Sequence, residues 1–216
     1  MPVIGAELTD FARALAESGV TEVLALAGDG PERSPACYDA SHVLETLLDE
    51  PGAQGALECI GVAAYPTGHA IAEDSQLWQA LERKADLLST RKPASQIFVA
   101  TQLGLSTSAL VDWHENLRVK VPFLANAELC VGVFGLVPAS RTRTLARRLG
   151  FGKGLVGLMD SLPSDSLMSR ASAEMLRSAA LPEAVSLHIS TFDTRVLAAD
   201  TFWAERLQDY AQHGRD

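Results

Sequence analysis

Polar and aromatic residues follow the ends of several short apolar runs, and together they could hydrogen-bond and stack a ligand. They comprise Gly28, Asp29, Gly30, Tyr65, His69, Thr101, Gln102 and the segment Ser190–Asp193. A carboxylate accepts hydrogen bonds, an amide and an imidazole donate and accept them, and an aromatic ring covers a flat surface. The sequence therefore predicts a small-molecule binding face built from strand ends.

The motifs of several other kinds of active or binding site are absent from this sequence. It contains no GxSxG, no HExxH and no pair of nearby carboxylates, and Gly28-Asp29-Gly30 is not a GxGxxG. The segment 151–154 lacks the spacing of a P-loop. The cysteines Cys37, Cys59 and Cys130 form no CxxC, so we predict no disulfide framework and no metal site, and we interpret them as small hydrophobes.

The elements that must position the polar residues alternate between strand and helix. Apolar runs predict strands at Thr21–Ala27, Cys59–Ala64, Gln96–Ala100, Leu129–Leu136 and Ala184–Ser190. Helical spacing of apolar residues predicts helices at Leu8–Ser18, Asp39–Glu50, Asp74–Leu88, Thr107–Arg118, Arg141–Leu149, Ser164–Ala180 and Leu197–Tyr210.

Apolar strands that alternate with helices are typical of a parallel sheet covered by helices. The sheet is either doubly wound or part of a (β/α)8 barrel, and both architectures bind ligands at the carboxyl ends of their strands. A closed barrel needs eight strands and about 250 residues. This chain of 216 residues has five strong strands, and Val3-Ile4 could end a sixth. We expect residues 1–216 to form a single domain.

Charge and composition argue against other classes of protein, namely nucleic-acid-binding, membrane-spanning and secreted proteins. The chain carries 18 Lys and Arg against 27 Asp and Glu, a net charge of −9, so it has no electrostatic footprint for nucleic acid. No apolar stretch is long enough to span a membrane. The first residues have neither the basic region nor the apolar region of a signal peptide. We therefore expect a cytoplasmic protein.

Five segments between about residues 8 and 155 resemble, in the same order, motifs of the methylenetetrahydrofolate reductase family. Leu24–Gly30 (LALAGDG) resembles LALRGD, and Ile60–His69 (IGVAAYPTGH) resembles IGVAGYPEGHP. Leu81–Lys84 resembles LKEK, Ala100–Gln102 resembles ITQ, and Asp112–Arg118 resembles a W…LR helix. The family is a flavin-dependent (β/α)8 barrel that reduces methylenetetrahydrofolate to methyltetrahydrofolate. The resemblance implies an incomplete barrel here, of about five to six parallel strands with helices outside.

The resemblance also implies roles for residues around the substrate. Asp29 would be the catalytic carboxylate that binds and polarises the pterin ring, which presents an N–H and an amino group side by side. Gln102 would hydrogen-bond the same ring from a neighbouring strand.

A second group of residues would hold the cofactor, FAD, with NAD(P)H as co-substrate. Tyr65 and His69 would lie along the flavin, and Lys84, together with Arg83, would meet its diphosphate. Gly28 would let the backbone approach the flavin closely.

The sequence departs from the family pattern at several places. Ala27 replaces an arginine, Thr67 a glutamate and Ala70 a proline, and Leu103–Ser106 replaces an aromatic segment. Nothing in residues 1–20 matches the glutamate-bearing first strand of the family. The chain thus resembles the last five-eighths of the barrel. We expect a second copy, another subunit or residues upstream of a misassigned start to cover the open edge beside the first strand.

The implied function is hydride transfer from NAD(P)H through FAD to methylenetetrahydrofolate, in one-carbon metabolism. One alternative is a homologue or subunit that binds folate without turnover, favoured by the missing glutamate. Another is a folate-dependent methyl-transfer component, such as one for O-demethylation, that uses the same pterin site.

Some of these residues, and several others, also have a purely structural interpretation. Lys84 on a helix is by default a solvated face residue, and Tyr65 before a proline could simply pack. His188 lies in an apolar strand, which predicts that it is a hydrogen-bonded histidine of the core. Trp78 and Trp113 fall at helical core spacing and predict packing.

Overall fold

The structure, a computed structural model, describes residues 6–26, 40–69, 72–93, 96–138, 140–141, 144, 167–179, 181, 185–191 and 205. Its strands are β1 (Glu22–Ala25), β2 (Cys59–Ala64), β3 (Ile97–Thr101), β4 (Glu128–Phe134) and β5 (Ser186–Ser190). Its helices are α1 (Ala6–Glu17), α2 (Ala40–Asp49), α3 (Pro51–Ala56), α4 (Asp74–Ser89), α5 (Thr107–Lys120), α6 (Pro122–Ala125) and α7 (Leu167–Ser178).

Every predicted strand and the helices that fall on described residues are confirmed, with ends that shift by up to three residues. The spacing of apolar residues did not predict the short helices α3 and α6, although each begins with a proline, a residue that suits the first helical turn. The predicted helix at 197–210, the run at Val3-Ile4 and most of the helix at 141–149 lie outside the described residues.

The five strands form one parallel sheet in the order β1-β2-β3-β4-β5. A doubly wound sheet reverses its strand order at a switch point, whereas a barrel adds each strand beside the previous one. The sequential order therefore makes this sheet a half-barrel with helices around it. This confirms the prediction of an incomplete barrel. Within the described part of the chain β1 and β5 are the edges, and that a second copy or another subunit covers β1 stays a prediction.

Alternate strand residues pack against the helices. Ile60 and Val62 of β2, Val99 of β3, and Val131 and Val133 of β4 belong to one buried cluster with the helices. Burying such apolar faces is the main favourable contribution to folding. None of the described helices is both long enough and apolar enough to cross a membrane.

The other alternate residues lie on the inner face of the half-barrel, and the register arranges them in layers. Gly61 lies beside Leu24 and Phe98. A Cβ on Gly61 would lie 2.2 Å from the Phe98 ring, so that ring crosses over the glycine. On β2 to β5 the next layer towards the carboxyl ends has small side chains: Ala63, Ala100, Cys130 and Ser186. An aromatic floor and a layer of small residues therefore lie beneath the strand ends.

Candidate active site at the carboxyl ends of the strands

The chain turns sharply after β2 and brings two predicted cofactor residues together. The Gly68 N–H donates to the Tyr65 carbonyl at 3.0 Å, which closes a turn with Pro66 at its second position. Gly68 has a φ of 80°, a conformation that glycine adopts without steric cost. The turn returns His69 to Tyr65, and the two half-buried rings meet edge to face with centroids 4.8 Å apart. This aromatic pair can border a flat ligand.

Gln102 lies beside this turn. Its backbone N–H donates to the Ala64 carbonyl at 2.8 Å, and its side-chain Nε2 donates to Thr67 Oγ1 at 2.9 Å. With one amide N–H bonded to Thr67, the orientation of the amide plane is defined. The other N–H and the carbonyl oxygen of the amide can then address a ligand. Thr67 occupies the position where the family motif has glutamate, so a departure from the pattern contacts a predicted substrate residue.

The end of β3 crosses closely over β4 at Gly132. A Cβ on Gly132 would lie 2.4 Å from the Thr101 carbonyl oxygen, so only glycine fits beneath this segment. The Gly132 N–H donates to Thr101 Oγ1 at 2.9 Å, and Thr101 is 4% exposed. The cavity beneath Gln102 has a volume of about 10 Å³, no more than a single water needs. Gln102 therefore rests on a closely packed support.

The interpretation of Lys84 as a solvated residue is wrong. Lys84 is only 5% exposed, and its Nζ donates to the Ala63 carbonyl at 3.1 Å, near the end of β2. Its long side chain reaches from α4 to the sheet, because position 84 follows Leu81 by three residues on the buried face of the helix. Arg83, the next residue, is exposed.

Two predicted site residues, Gly28 and Asp29, lie outside the described residues. The structure thus places Tyr65, His69 and Gln102 at neighbouring strand ends, and it places the Lys84 ammonium at the Ala63 carbonyl, two residues before Tyr65. A packing role and a ligand-binding role are both compatible with the half-buried ring of Tyr65.

The prediction of a core histidine at position 188 is wrong. His188 is exposed on the inner face of β5, whereas Leu187 packs against the helices. Its Nε2 lies 3.4 Å from the hydroxyl of Ser190. The signal in the sequence was the alternation of polar Ser186, His188 and Ser190 with apolar neighbours, which is typical of a strand with one open face.

A cavity of about 250 Å³ lies between α4 and α5, outside the barrel, and Tyr65 forms part of its wall. Trp78 and Trp113 stack there at 6.2 Å, as their predicted packing role requires, and Lys120 Nζ lies 4.5 Å from the Trp78 ring centre. Asp74 and Asp112 also line this cavity. Their negative charges disfavour an anionic group such as a diphosphate at this place.

The thiols on the inner face are poor nucleophiles. Burial, reinforced by Glu22 and Glu128, raises the pKa of Cys59, and burial together with Glu128 raises the pKa of Cys130. A thiol with a raised pKa carries less of the reactive thiolate at neutral pH. Among the residues that the structure describes, no three His, Cys, Asp or Glu side chains converge as a metal site would need.

No curated protein sequence matches the chain significantly. The family model described as methylenetetrahydrofolate reductase matches residues 3–150, which is more than half of the chain and includes β1 to β4 with the Tyr65–His69 turn and Gln102. The half-barrel agrees with that match, and the chain belongs to the methylenetetrahydrofolate reductase family.

Proposed function

We propose that this protein reduces 5,10-methylenetetrahydrofolate to 5-methyltetrahydrofolate with NAD(P)H as the reductant and FAD as the cofactor. The observation that carries the proposal is the Gln102 amide, oriented by Thr67 at the end of β3, beside the Tyr65–His69 ring pair at the end of β2. An amide suits a pterin ring, which has hydrogen-bond donors and acceptors along one edge.

Binding and polarisation of the folate fall to two residues in this proposal. Gln102 hydrogen-bonds the pterin ring, and its fixed orientation reduces the entropy lost on binding. Asp29, in the segment that follows β1, accepts hydrogen bonds from the pterin N–H and amino group. A carboxylate at this position assists electrostatically, by stabilising positive charge on the folate that hydride addition then neutralises.

The described residues fit a flavin on one observation: a half-buried aromatic pair, Tyr65 and His69, stands at the strand ends above a layer of small side chains. These rings would border the flavin ring system. The exposed Arg83 and the buried ammonium of Lys84 would supply positive charge for the diphosphate. When bound, the flavin would relay a hydride from NAD(P)H to the folate methylene carbon.

An assay of NAD(P)H oxidation tests the proposal. The purified full chain is supplied with FAD and methylenetetrahydrofolate, and NADH and NADPH are compared. We expect folate-dependent oxidation that falls by roughly 10- to 100-fold in Asp29→Asn and in Gln102→Ala. Matched controls are Asp86→Asn and Gln79→Ala, two exposed positions on α4 that leave the strand ends untouched.

The same preparation separates the alternatives. Folate binding by calorimetry without any turnover would assign the protein a binding role instead of an enzymatic one. Turnover of methyl donors without flavin absorbance near 450 nm would favour methyl transfer. Equal activity of Asp29→Asn and its control would contradict the role of that carboxylate.

A further inference from the structure

The cavity between α4 and α5 has no part in the proposed reaction. It has a volume of about 250 Å³ and lies next to the turn after β2, whose residues Tyr65 and Pro66 form part of its wall. Pockets for drug-sized molecules have volumes of roughly 300–1,000 Å³, so this cavity suits a smaller ligand. The residues that line it indicate what kind of ligand that is.

The described residues that line the cavity carry only negative charge. Asp74 of α4 and Asp112 of α5 contribute one carboxylate each, and no Lys, Arg or His is among them. Both aspartates are exposed, and neither carboxylate has an ion pair or a hydrogen bond with another described residue. Two carboxylates without a cationic partner attract a cation into the cavity, and the net charge of −9 of the chain adds to this attraction.

Aromatic rings form much of the remaining wall. They belong to Tyr65, Trp78 and Trp113, and Leu81 adds further apolar surface. The face of an aromatic ring carries partial negative charge and attracts a cation. Trp78 already makes such a contact within the chain, because Lys120 Nζ lies 4.5 Å from its ring centre, although Lys120 does not line the cavity. The rings can therefore contact both the charge and the apolar stem of a ligand.

An organic cation fits these walls better than a metal ion does. Calcium and magnesium ions take six or more oxygen ligands, and within the described part of the chain no three His, Cys, Asp or Glu side chains converge. An ammonium or guanidinium group on an aliphatic stem, in contrast, pairs with carboxylates through its charge and with aromatic rings through its stem.

We propose that this cavity binds a small organic cation, an alkylammonium or an alkylguanidinium, with its charge at Asp74 and Asp112 and its stem against the aromatic rings. Asn116 Nδ2 donates to the Asp112 backbone carbonyl at 2.7 Å, so the amide oxygen of Asn116 is oriented to accept a further hydrogen bond from the ligand. The proposal is independent of the proposed reaction, because neither folate nor flavin enters it.

Titration calorimetry on the full chain at low salt tests the proposal, with putrescine and agmatine as the probes. The compounds 1,4-butanediol and succinate are the neutral and the anionic counterparts of putrescine with the same number of carbons. We expect both cations to bind, and 1,4-butanediol and succinate not to bind. Bound cation should also change the intrinsic fluorescence, because two of the three tryptophans of the chain line the cavity.

Variants of the two aspartates locate the bound cation. Asp74→Asn and Asp112→Asn should each raise Kd for putrescine by about 2- to 10-fold, because each removes one charge pair at an exposed position. The matched controls are Asp86→Asn on α4 and Glu115→Gln on α5, which are exposed and do not line the cavity. These controls should bind putrescine like wild type, and all four variants should keep the wild-type melting temperature.

Four results would overturn the proposal. The first is that neither cation binds at millimolar concentration. The second is equal binding of 1,4-butanediol and putrescine, which would make the cavity a purely apolar pocket. The third is an equal Kd in the aspartate variants and their controls, which would place the cation at another part of the acidic surface.

The fourth result concerns the source of the cation. If a peptide Gly-Gly-Lys-Gly-Gly with blocked ends binds more tightly than putrescine, the cavity takes a side chain of a partner protein instead of a free small molecule. None of these titrations contains folate or flavin, so a failure of this inference leaves the proposed function standing, and a failure of the proposed function leaves this inference standing.

Discussion

One hydroxyl group determines how the predicted substrate residue Gln102 presents its amide. The hydroxyl belongs to Thr67, which stands where the family motif has a glutamate. An amide whose N–H is bonded in this way cannot rotate freely, so fewer conformations compete with the one that binds. We therefore expect Thr67 to influence ligand binding through Gln102.

Removal of that hydroxyl should weaken folate binding without unfolding the protein. Thr67→Val keeps the shape of the side chain but cannot accept the Gln102 hydrogen bond, so we expect Kd for 5-methyltetrahydrofolate to rise about 2- to 10-fold. Thr67→Ser keeps the hydroxyl and should bind within a factor of two or so of wild type. Equal affinities of the valine and serine variants in calorimetry would refute this role for Thr67.

Gly132 should tolerate no larger residue, because the atom that a Cβ would strike belongs to the backbone. Gly132→Ala places its Cβ 2.4 Å from the Thr101 carbonyl oxygen, and we expect the free energy of unfolding to fall by about 1–3 kcal/mol. Gly55→Ala is the control: nothing lies within 4 Å of its Cβ, and alanine favours the helix. Urea denaturation would contradict this account if both variants were equally stable.

At the scale of elements, α7 is attached to β4 by two buried serines. Ser172 Oγ accepts a hydrogen bond from the Phe134 N–H at 3.1 Å, and Ser169 Oγ donates to the Gly135 carbonyl at 2.5 Å. Both serines are 0% exposed. These bonds satisfy the backbone just where β4 ends, at the edge of the candidate site.

Loss of the Ser172 hydroxyl should lower the free energy of unfolding more than loss of a hydroxyl from a surface serine. In Ser172→Ala the buried Phe134 N–H loses its hydrogen bond to the serine hydroxyl, and we expect a loss of about 1–3 kcal/mol in the free energy of unfolding. Ser178→Ala, at an exposed position of the same helix, should change it by less than about 0.5 kcal/mol. Chemical denaturation of the two variants checks this, and a loss no greater for Ser172→Ala would show that the backbone finds another partner.

At the scale of the whole molecule, folding stability should decline in alkaline solution. Burial raises the pKa of Cys59 and Cys130 above the ordinary 9.0, so the folded state holds these protons more tightly than the unfolded state. This stabilisation is complete below pH 9 and is lost as the pH rises through the folded pKa values.

The double variant Cys59→Ala with Cys130→Ala isolates this contribution. Between pH 8 and pH 10 its free energy of unfolding should fall less steeply than that of wild type, when both are measured by urea denaturation. Other groups titrate in the same range, so the difference between the two slopes is the informative quantity. Identical slopes would mean that the two thiols have the same pKa in the folded and unfolded chain.

Much of the architecture could be predicted from local patterns. Apolar runs predicted β2 at its observed residues, and the helical spacing of apolar residues predicted α5 from its first residue, Thr107. The turn residues at positions 65–69 indicated a strand end that carries candidate binding residues. Such features depend on neighbours in sequence, so periodicity and turn propensity reveal them.

The sequence by itself determined the parallel α/β class, the order of the elements and the positions of Gln102 and His69 at strand ends. Only the tertiary structure decided that Lys84 is buried, that His188 is exposed and that Thr67 orients Gln102. The physical reason is that each of these facts depends on contacts between residues 21 to 56 positions apart, such as Lys84 with Ala63 and Gly132 with His188. Propensity describes a residue among its neighbours along the chain, whereas burial and orientation are set by the neighbours that folding brings to it.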